Sequence, residues 1–448
     1  MENNISRRSF AALGMAGAAV LAFGSAGIAL ADQAAADAES SDAAEQTVSQ
    51  VKIDLVDNAI QMDVTEVPAG PVTFTVTNVS APAITEVELL LNLRILGEKE
   101  NLAPGLDSVS FTKTLNGGDY KIYAPNAAEE YVDFKVTGEV VMPEGSTQDI
   151  LAQGVQDYAD YVTTQIQSQY DACVELQAAI YGGDLEEAKL AYIKARPYYE
   201  RVESAVDGFL LPGATDVEDN GQSLDYLLDM RASSLDEEVG WHGFHAIERE
   251  LWGNAQGIEE EKEIAEEEGA KVVEAAGDDE DAVVVESDVI EAGITDSTKE
   301  LVDELVENAR ILNEEVIPTF ADDLLPEDLA NGAADLLEEV STTKITGEEE
   351  RYSKIDLLDF YGNVEGAMQA FACLRDGLLE IDEELVNQID EEFQTMIDLL
   401  NDYRDPENPS GFVDYTEELR KSDGQKFADT LLPLHEDISS LAEKVALA

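Results

Sequence analysis

Two periods of hydrophobic alternation divide the chain. From Val51 to about residue 138 the period is two, as in Pro71-Val72-Thr73-Phe74-Thr75-Val76-Thr77 and Val109-Ser110-Phe111-Thr112, which is the pattern of half-buried strands. Turn signals interrupt it at Pro68-Ala69-Gly70, Ala103-Pro104-Gly105 and Asn116-Gly117-Gly118-Asp119. The runs amount to about seven strands in ~90 residues and predict a small β-sandwich over 51–140. After Pro143 the period becomes helical. One helix runs from Asp149 to Tyr181 and stops at Gly182-Gly183. A second, over 184–209, should bend at Pro197, which lacks a backbone donor. Further helices are expected at 297–317, 327–341, 355–379, 383–403 and 412–446, with breaks at Pro318, Pro326, Pro406 and Pro409. Long helices with short connections predict antiparallel bundles, so the fold class is multidomain, β then all-α.

The ends and insertions read differently. Ser6-Arg7-Arg8-Ser9-Phe10 is a twin-arginine signature, followed by a Gly/Ala-rich apolar run that closes on Ala29-Leu30-Ala31. Residues 1–31 therefore read as a twin-arginine signal peptide with a small-x-small cleavage site. The competing reading, an uncleaved anchor, suffers from the run's poverty in strongly apolar residues. Residues 32–50 form an acidic linker. A second acidic stretch, 257–293, holds seven glutamates and one lysine between Glu259 and Glu268. It reads as a solvated insertion in the helical domain, 146–448, and carries no chemistry.

Charge narrows the partners. The chain has 97 acidic and 27 basic residues, a net charge of −70, and 44% hydrophobic residues. Nucleic acid and anionic lipid would be repelled, and cations attracted. Cys173 and Cys373 are the two cysteines. Outside the cytoplasm a disulfide between them is permitted, and two buried thiols are equally compatible with their apolar settings.

The candidate chemistry centres on Trp241-His242-Gly243-Phe244-His245-Ala246-Ile247-Glu248, which holds two of the three histidines. On a helix His245 and Glu248 are neighbours on one face. Other helices must supply more ligands, and the candidates are carboxylates set among apolar residues: Glu200 with Glu203, and Asp356 with Asp359. Arg196 lies one helical turn from Glu200 and could instead neutralise that pair. Imidazole with carboxylates makes a hard site that suits iron, manganese or zinc better than copper(I). A zinc peptidase helix needs two histidines four apart with a glutamate between them. Here His242 and His245 are three apart, Glu248 follows both, and position 249 is arginine. An internal echo, Tyr199-Glu200-Arg201-Val202-Glu203-Ser204-Ala205 with Tyr361-Gly362-Asn363-Val364-Glu365-Gly366-Ala367, would fit a duplicated bundle whose halves give equivalent carboxylates to one interior.

These motifs resemble the imelysin-like family. Gly243-Phe244-His245-Ala246-Ile247-Glu248 matches its Gly-x-His-x-x-Glu motif. Ala195-Arg196-Pro197-Tyr198-Tyr199-Glu200-Arg201-Val202-Glu203 is similar to its Ala-Arg-x-x-Tyr-Glu-x-x-Glu helix. Residues 332–366, with Ile345-Thr346-Gly347-Glu348-Glu349 and Asp356-Leu357-Leu358-Asp359-Phe360, resemble a further signature block. The resemblance implies a cupredoxin-like β-sandwich followed by a duplicated imelysin-like helical domain. It implies a metal site at His245 and Glu248, helped by Glu200, Glu203 and Asp359. It further implies a non-enzymatic, extracytoplasmic iron-binding component (Fe2+ or Fe3+) of an EfeUOB-type uptake system, in periplasm or cell envelope. Its partners would be a membrane iron permease and a haem-containing peroxidase. The β region departs from the family in having no cysteine and no histidine, which excludes a blue-copper site there. Glu88, Glu98 and Glu100 remain as hard-cation candidates against a reading as strand-edge acids. A metallopeptidase and a metal-free cell-surface interaction protein are the rival classes.

Overall fold

The computed structural model describes residues 47–92, 94–141, 145–217, 219–258, 262, 271–273, 282–284 and 289–448. The twin-arginine segment and residues 32–46 lie outside the described residues. So does most of the acidic segment 257–293, within which 271–273 and 282–284 pair as parallel strands.

Period-two patterning becomes nine strands in the first half: β1 (Ser49–Val56), β2 (Ala59–Met62), β3 (Glu66–Pro68), β4 (Gly70–Asn78), β5 (Val87–Leu91), β6 (Arg94–Lys99), β7 (Val109–Leu115), β8 (Gly118–Tyr123) and β9 (Tyr131–Thr137). This exceeds the seven expected because β2 and β3 are only four and three residues long, too short to display alternation. They form two sheets, ordered β2-β1-β4-β7 and β3-β9-β8-β5-β6. β1 runs parallel to β4 with Val51 opposite Phe74, and β4 runs antiparallel to β7 with Phe74 opposite Phe111. Phe74 stacks on Phe111 at 5.1 Å and meets Phe134 of the facing sheet edge-on at 5.3 Å. Fully burying each such side chain stabilises the fold by ~1.5–3 kcal/mol.

The helical half comprises α1 (Ser146–Gly182), α2 (Leu185–Glu200), α3 (Glu203–Val206), α4 (Leu224–Asp229), α5 (Gly243–Trp252), α6 (Asp296–Ile311), α7 (Pro326–Thr342), α8 (Asp356–Ile381), α9 (Glu383–Asn401), α10 (Glu417–Ser439) and α11 (Leu441–Leu447). On α1, Leu151, Val155, Tyr158, Val162, Ile166, Cys173, Leu176 and Ile180 form one buried stripe. The helix stops where Gly183 adopts φ 79° and its N–H caps the carbonyls of Ala179 and Ile180.

Two helices expected as single runs are divided. The run 184–209 breaks after Glu200 and resumes at Glu203, with Val202 at φ −137°. Pro197 lies in the last turn before that break and cannot donate to the preceding turn. Glu200 and Glu203 thus sit on two helices instead of one face. The run 412–446 divides at Ser440, and α6 passes into a π turn over Leu312–Val316.

Helix α7 joins the two halves. Lys99 of β6, 4% exposed, pairs with Asp335 and with Glu338 at 2.8 Å. Asn331 donates to the Thr112 carbonyl at 2.7 Å, and the Thr114 N–H donates to Glu327 at 2.9 Å. α11 packs on β4 and β7, and Thr73 and Thr112 of these strands are buried in a mutual 2.7 Å hydrogen bond.

The cysteine question resolves geometrically. Gly154 of α1 lies against Cys373, so closely that a Cβ there would stand 2.0 Å from the Cys373 carbonyl. Cys173 is farther along the same helix by about 28 Å at 1.5 Å per residue. Both thiols are free. Among the described residues, no helix is long and apolar enough to cross a membrane.

Candidate metal centre

The position of α5 is set by its first residue. Gly243 has φ +70°, and a Cβ there would lie 2.1 Å from the Leu228 carbonyl oxygen and 2.9 Å from Asp229 N. Glycine alone lets α5 start directly on the peptide that ends α4. His242 stays outside the helix and pairs with Glu304 at 2.9 Å. His245 and Glu248 turn inward, 2% and 0% exposed.

Glu248 is fully engaged. Its Oε1 accepts from the backbone N–H groups of Tyr352 at 2.7 Å and Ser353 at 2.6 Å, and its Oε2 faces His245 Nδ1 at 3.3 Å. A carboxylate on one ring nitrogen orients the other. That other atom, Nε2, stands 3.5 Å from Asp229 Oδ1 and 3.4 Å from Glu349 Oε1, and hydrogen-bonds to neither. Donor atoms held at ~2.1 Å by one tetrahedral ion stand about 3.4 Å apart. The imidazole therefore already has that spacing to each of two buried carboxylates, and the three donor atoms all lie within 4.8 Å of one another.

Around them lies a shell of opposed charges. Arg196, with no exposed surface, contacts Glu200 and Asp229, Glu350 at 2.9 Å, Asp359 at 3.0 Å and Glu349 at 3.2 Å. Lys344 Nζ, also fully buried, is 3.1 Å from Glu200, 3.2 Å from Glu349, 3.4 Å from Glu339 and 3.7 Å from Glu203, without a hydrogen bond to any of them. Arg231 pairs with Glu339 and, at 3.3 Å, with Glu349. Asp229 Oδ2 and Asp359 Oδ1 are buried without hydrogen-bond partners, a costly state that a cation would relieve.

This crowding sets the protonation of the centre. Burial and the Arg196 charge oppose protonation of His245, but Asp229 and the contacts to Glu248 and Glu349 outweigh them and hold the imidazole well above the usual histidine range. Burial pushes Glu203, Glu350 and Asp359 well above the carboxylate range, and Asp229 up to about 7 even beside Arg196. Glu349 behaves oppositely. Burial would raise it, yet Lys344, Arg231 and His245 hold it well below the usual value.

The structure thus brings together His245, Glu248, Glu200 and Asp359, with Glu203 at the edge beside Lys344 and Asn363. Asp356 is buried but turns aside to accept from the Glu350 N–H. The echoed carboxylates are not equivalent: Glu203 is buried, whereas Glu365 is partly exposed and pairs with Arg201 at 2.9 Å. Sequence reasoning missed Asp229, Glu349 and Glu350. Asp229 had a usable signal, being a carboxylate among apolar residues in Leu224-Asp225-Tyr226-Leu227-Leu228-Asp229. In the β half, Glu86, Glu88 and Glu98 approach one another. Burial and the Glu86 charge push Glu88 up to about 10, so near neutrality it is an uncharged acid.

The imelysin (peptidase M75) family model matches residues 154–441. The iron uptake system component EfeO of Escherichia coli strain K12 is 28% identical over 402 residues, covering 88% of this chain and 91% of that protein. EfeO of Shigella flexneri aligns with the same identity and coverage, and EfeO of Escherichia coli CFT073 is 27% identical over 402 residues.

Proposed function

The chain belongs to the imelysin family, and on that footing we propose that it is an extracytoplasmic iron-binding component of an uptake system. It captures iron at the buried centre and passes it to a membrane permease, with a haem-containing peroxidase as a further partner. The supporting observation is His245 Nε2, buried and without a hydrogen bond, facing Asp229 and Glu349 at 3.5 and 3.4 Å. In this reading His245, Asp229 and Glu349 hold the iron, and Glu200 and Asp359 complete a hard oxygen shell. Glu248 fixes the imidazole instead of binding the ion. Iron is cargo, and the chain is not an enzyme. The β half, a cupredoxin-like domain in this reading, takes no copper.

Anaerobic titration calorimetry with Fe2+ tests this. His245→Ala should weaken binding by about a hundredfold or more, beyond the range for removing an outer-shell partner. Undiminished binding would overturn the assignment. Peptide cleavage by metal-loaded protein, lost in Glu248→Gln, would favour the peptidase class instead.

The protonation pattern gives a second expectation. Metal needs neutral imidazole and ionised carboxylates. His245 is raised, so near pH 7 the metal-free ring carries a proton that iron must displace. Affinity should therefore fall by about tenfold for each unit of pH lost below neutrality. Asp229, which titrates near 7, should steepen the fall. Calorimetry in buffers of different ionisation enthalpy would count the released protons, and a count of zero at pH 7 would refute the protonated ring.

A further inference from the structure

The centre is sealed: His245 is 2% exposed, and Glu200, Glu248, Glu350 and Asp359 are fully buried. A cation must therefore enter through a movable part. A cavity of about 210 Å³ lies between strands β6 and β7 on one side and helices α3 and α7 on the other. Its wall includes Glu98, Glu100 and Asp207, acids that burial pushes above the carboxylate range and that an entering cation would ionise and bind as it passes. Its inner end includes Glu203, Arg231 and Glu339.

Two cationic side chains, Arg231 and Lys344, link that inner end to the ligands. Arg231 Nη1 is 3.3 Å from Glu349 Oε2, and Glu349 Oε1 is 3.4 Å from His245 Nε2. Of the three permanent cations around the centre, Arg196 and Lys344 have no exposed surface, whereas the Arg231 side chain is 16% exposed. Arg231 also sits outside the long helices, immediately before the short turn Ala232–Ser234. It can leave without unpacking the bundle, and its departure frees Glu349 Oε2.

We propose that cations reach the buried centre through this acidic cavity, and that Arg231 is the positioning residue that closes the passage between cavity and ligands. The proposal rests on the metal reading above. While Arg231 pairs with Glu349 and Glu339, its guanidinium blocks the neck and repels an incoming ion. When it swings into the cavity, the two carboxylates become available to that ion in turn.

Anaerobic stopped-flow mixing of the full chain with Fe2+, read by tryptophan fluorescence, gives the association rate. A ferrous chelator chase gives the dissociation rate. Arg231→Gln should raise both by about tenfold, with the equilibrium constant moving less than either. A purely electrostatic role predicts something different: removing a positive charge beside Glu349 would speed association and slow dissociation, so that affinity rises. Ala205→Phe, which fills the cavity, should slow both rates at unchanged affinity, and it decides the matter if Arg231→Gln does not fold. Slower dissociation in Arg231→Gln, whatever its association rate, or unchanged rates in Ala205→Phe, would overturn the route while leaving the centre standing. Wild-type protein that binds no Fe2+ would overturn the metal reading and the route with it.

Discussion

Arg196→Met should cost about 3–5 kcal/mol of stability at pH 7.5, the range for removing one partner of a buried ion pair. The side chain is enclosed completely and contacts Glu200, Asp229, Glu349, Glu350 and Asp359. Methionine fills much of the volume but leaves five carboxylates around an uncharged stem. The loss should shrink as pH falls. Without Arg196 the folded-state pKa values of Asp229 and Asp359 rise further, because Arg196 is the main influence opposing their burial. A group whose folded pKa lies above its unfolded value destabilises the fold when ionised, and acid removes that penalty. Urea unfolding of wild type and variant at pH 7.5 and 5.5 should show the gap narrowing. A gap that stays constant or widens toward pH 5.5 would mean that Arg196 acts through packing alone.

Gly243→Ala should cost about 3 kcal/mol or more. Two penalties coincide at this position. The φ of +70° is strained for any L side chain, and the new Cβ would meet backbone, 2.1 Å from the Leu228 oxygen. Relief requires α5 to lift from the end of α4, which carries His245 away from Asp229. Iron affinity should therefore fall along with stability, although Gly243 contacts no metal. Thermal unfolding and Fe2+ calorimetry on one preparation would check the coupling. A variant that unfolds as wild type does would show that the close approach is not rigid.

The first of these sites shows how far the sequence could be read. His245 with Glu248 was legible because both lie within one helical turn, where spacing reports proximity directly. Glu200 and Asp359 were legible as carboxylates in apolar surroundings. Arg196 was legible only as a partner of Glu200, one turn away. Its contact with Glu349 spans 153 positions, and local periodicity says nothing about such distances. Glu349 and Glu350 were hidden for a related reason. They sit outside any long helix, after the turn Lys344–Thr346, where no period marks a face, and Glu349 entered the sequence reading only within the block Ile345-Thr346-Gly347-Glu348-Glu349. The division of the Glu200 and Glu203 helix was missed because proline announces a disturbance without fixing whether the helix bends or ends. For the strands, alternation carried the sandwich and failed only where a strand spanned two periods or fewer.

Helix α7 carries a consequence of its own. One side of it is fastened to the β half through Asn331, Asp335 and Glu338. Within the same turn, Glu339 reaches Arg231 and Lys344. The helix is thus a lever whose outer arm lies at the junction of the two halves and whose inner arm lies against the buried cluster of carboxylates. A tilt of the sandwich would therefore be felt at that cluster. Under the proposed function, reciprocity then requires that a partner preferring the iron-loaded form strengthen iron binding by the same factor, and that one preferring the empty form weaken it.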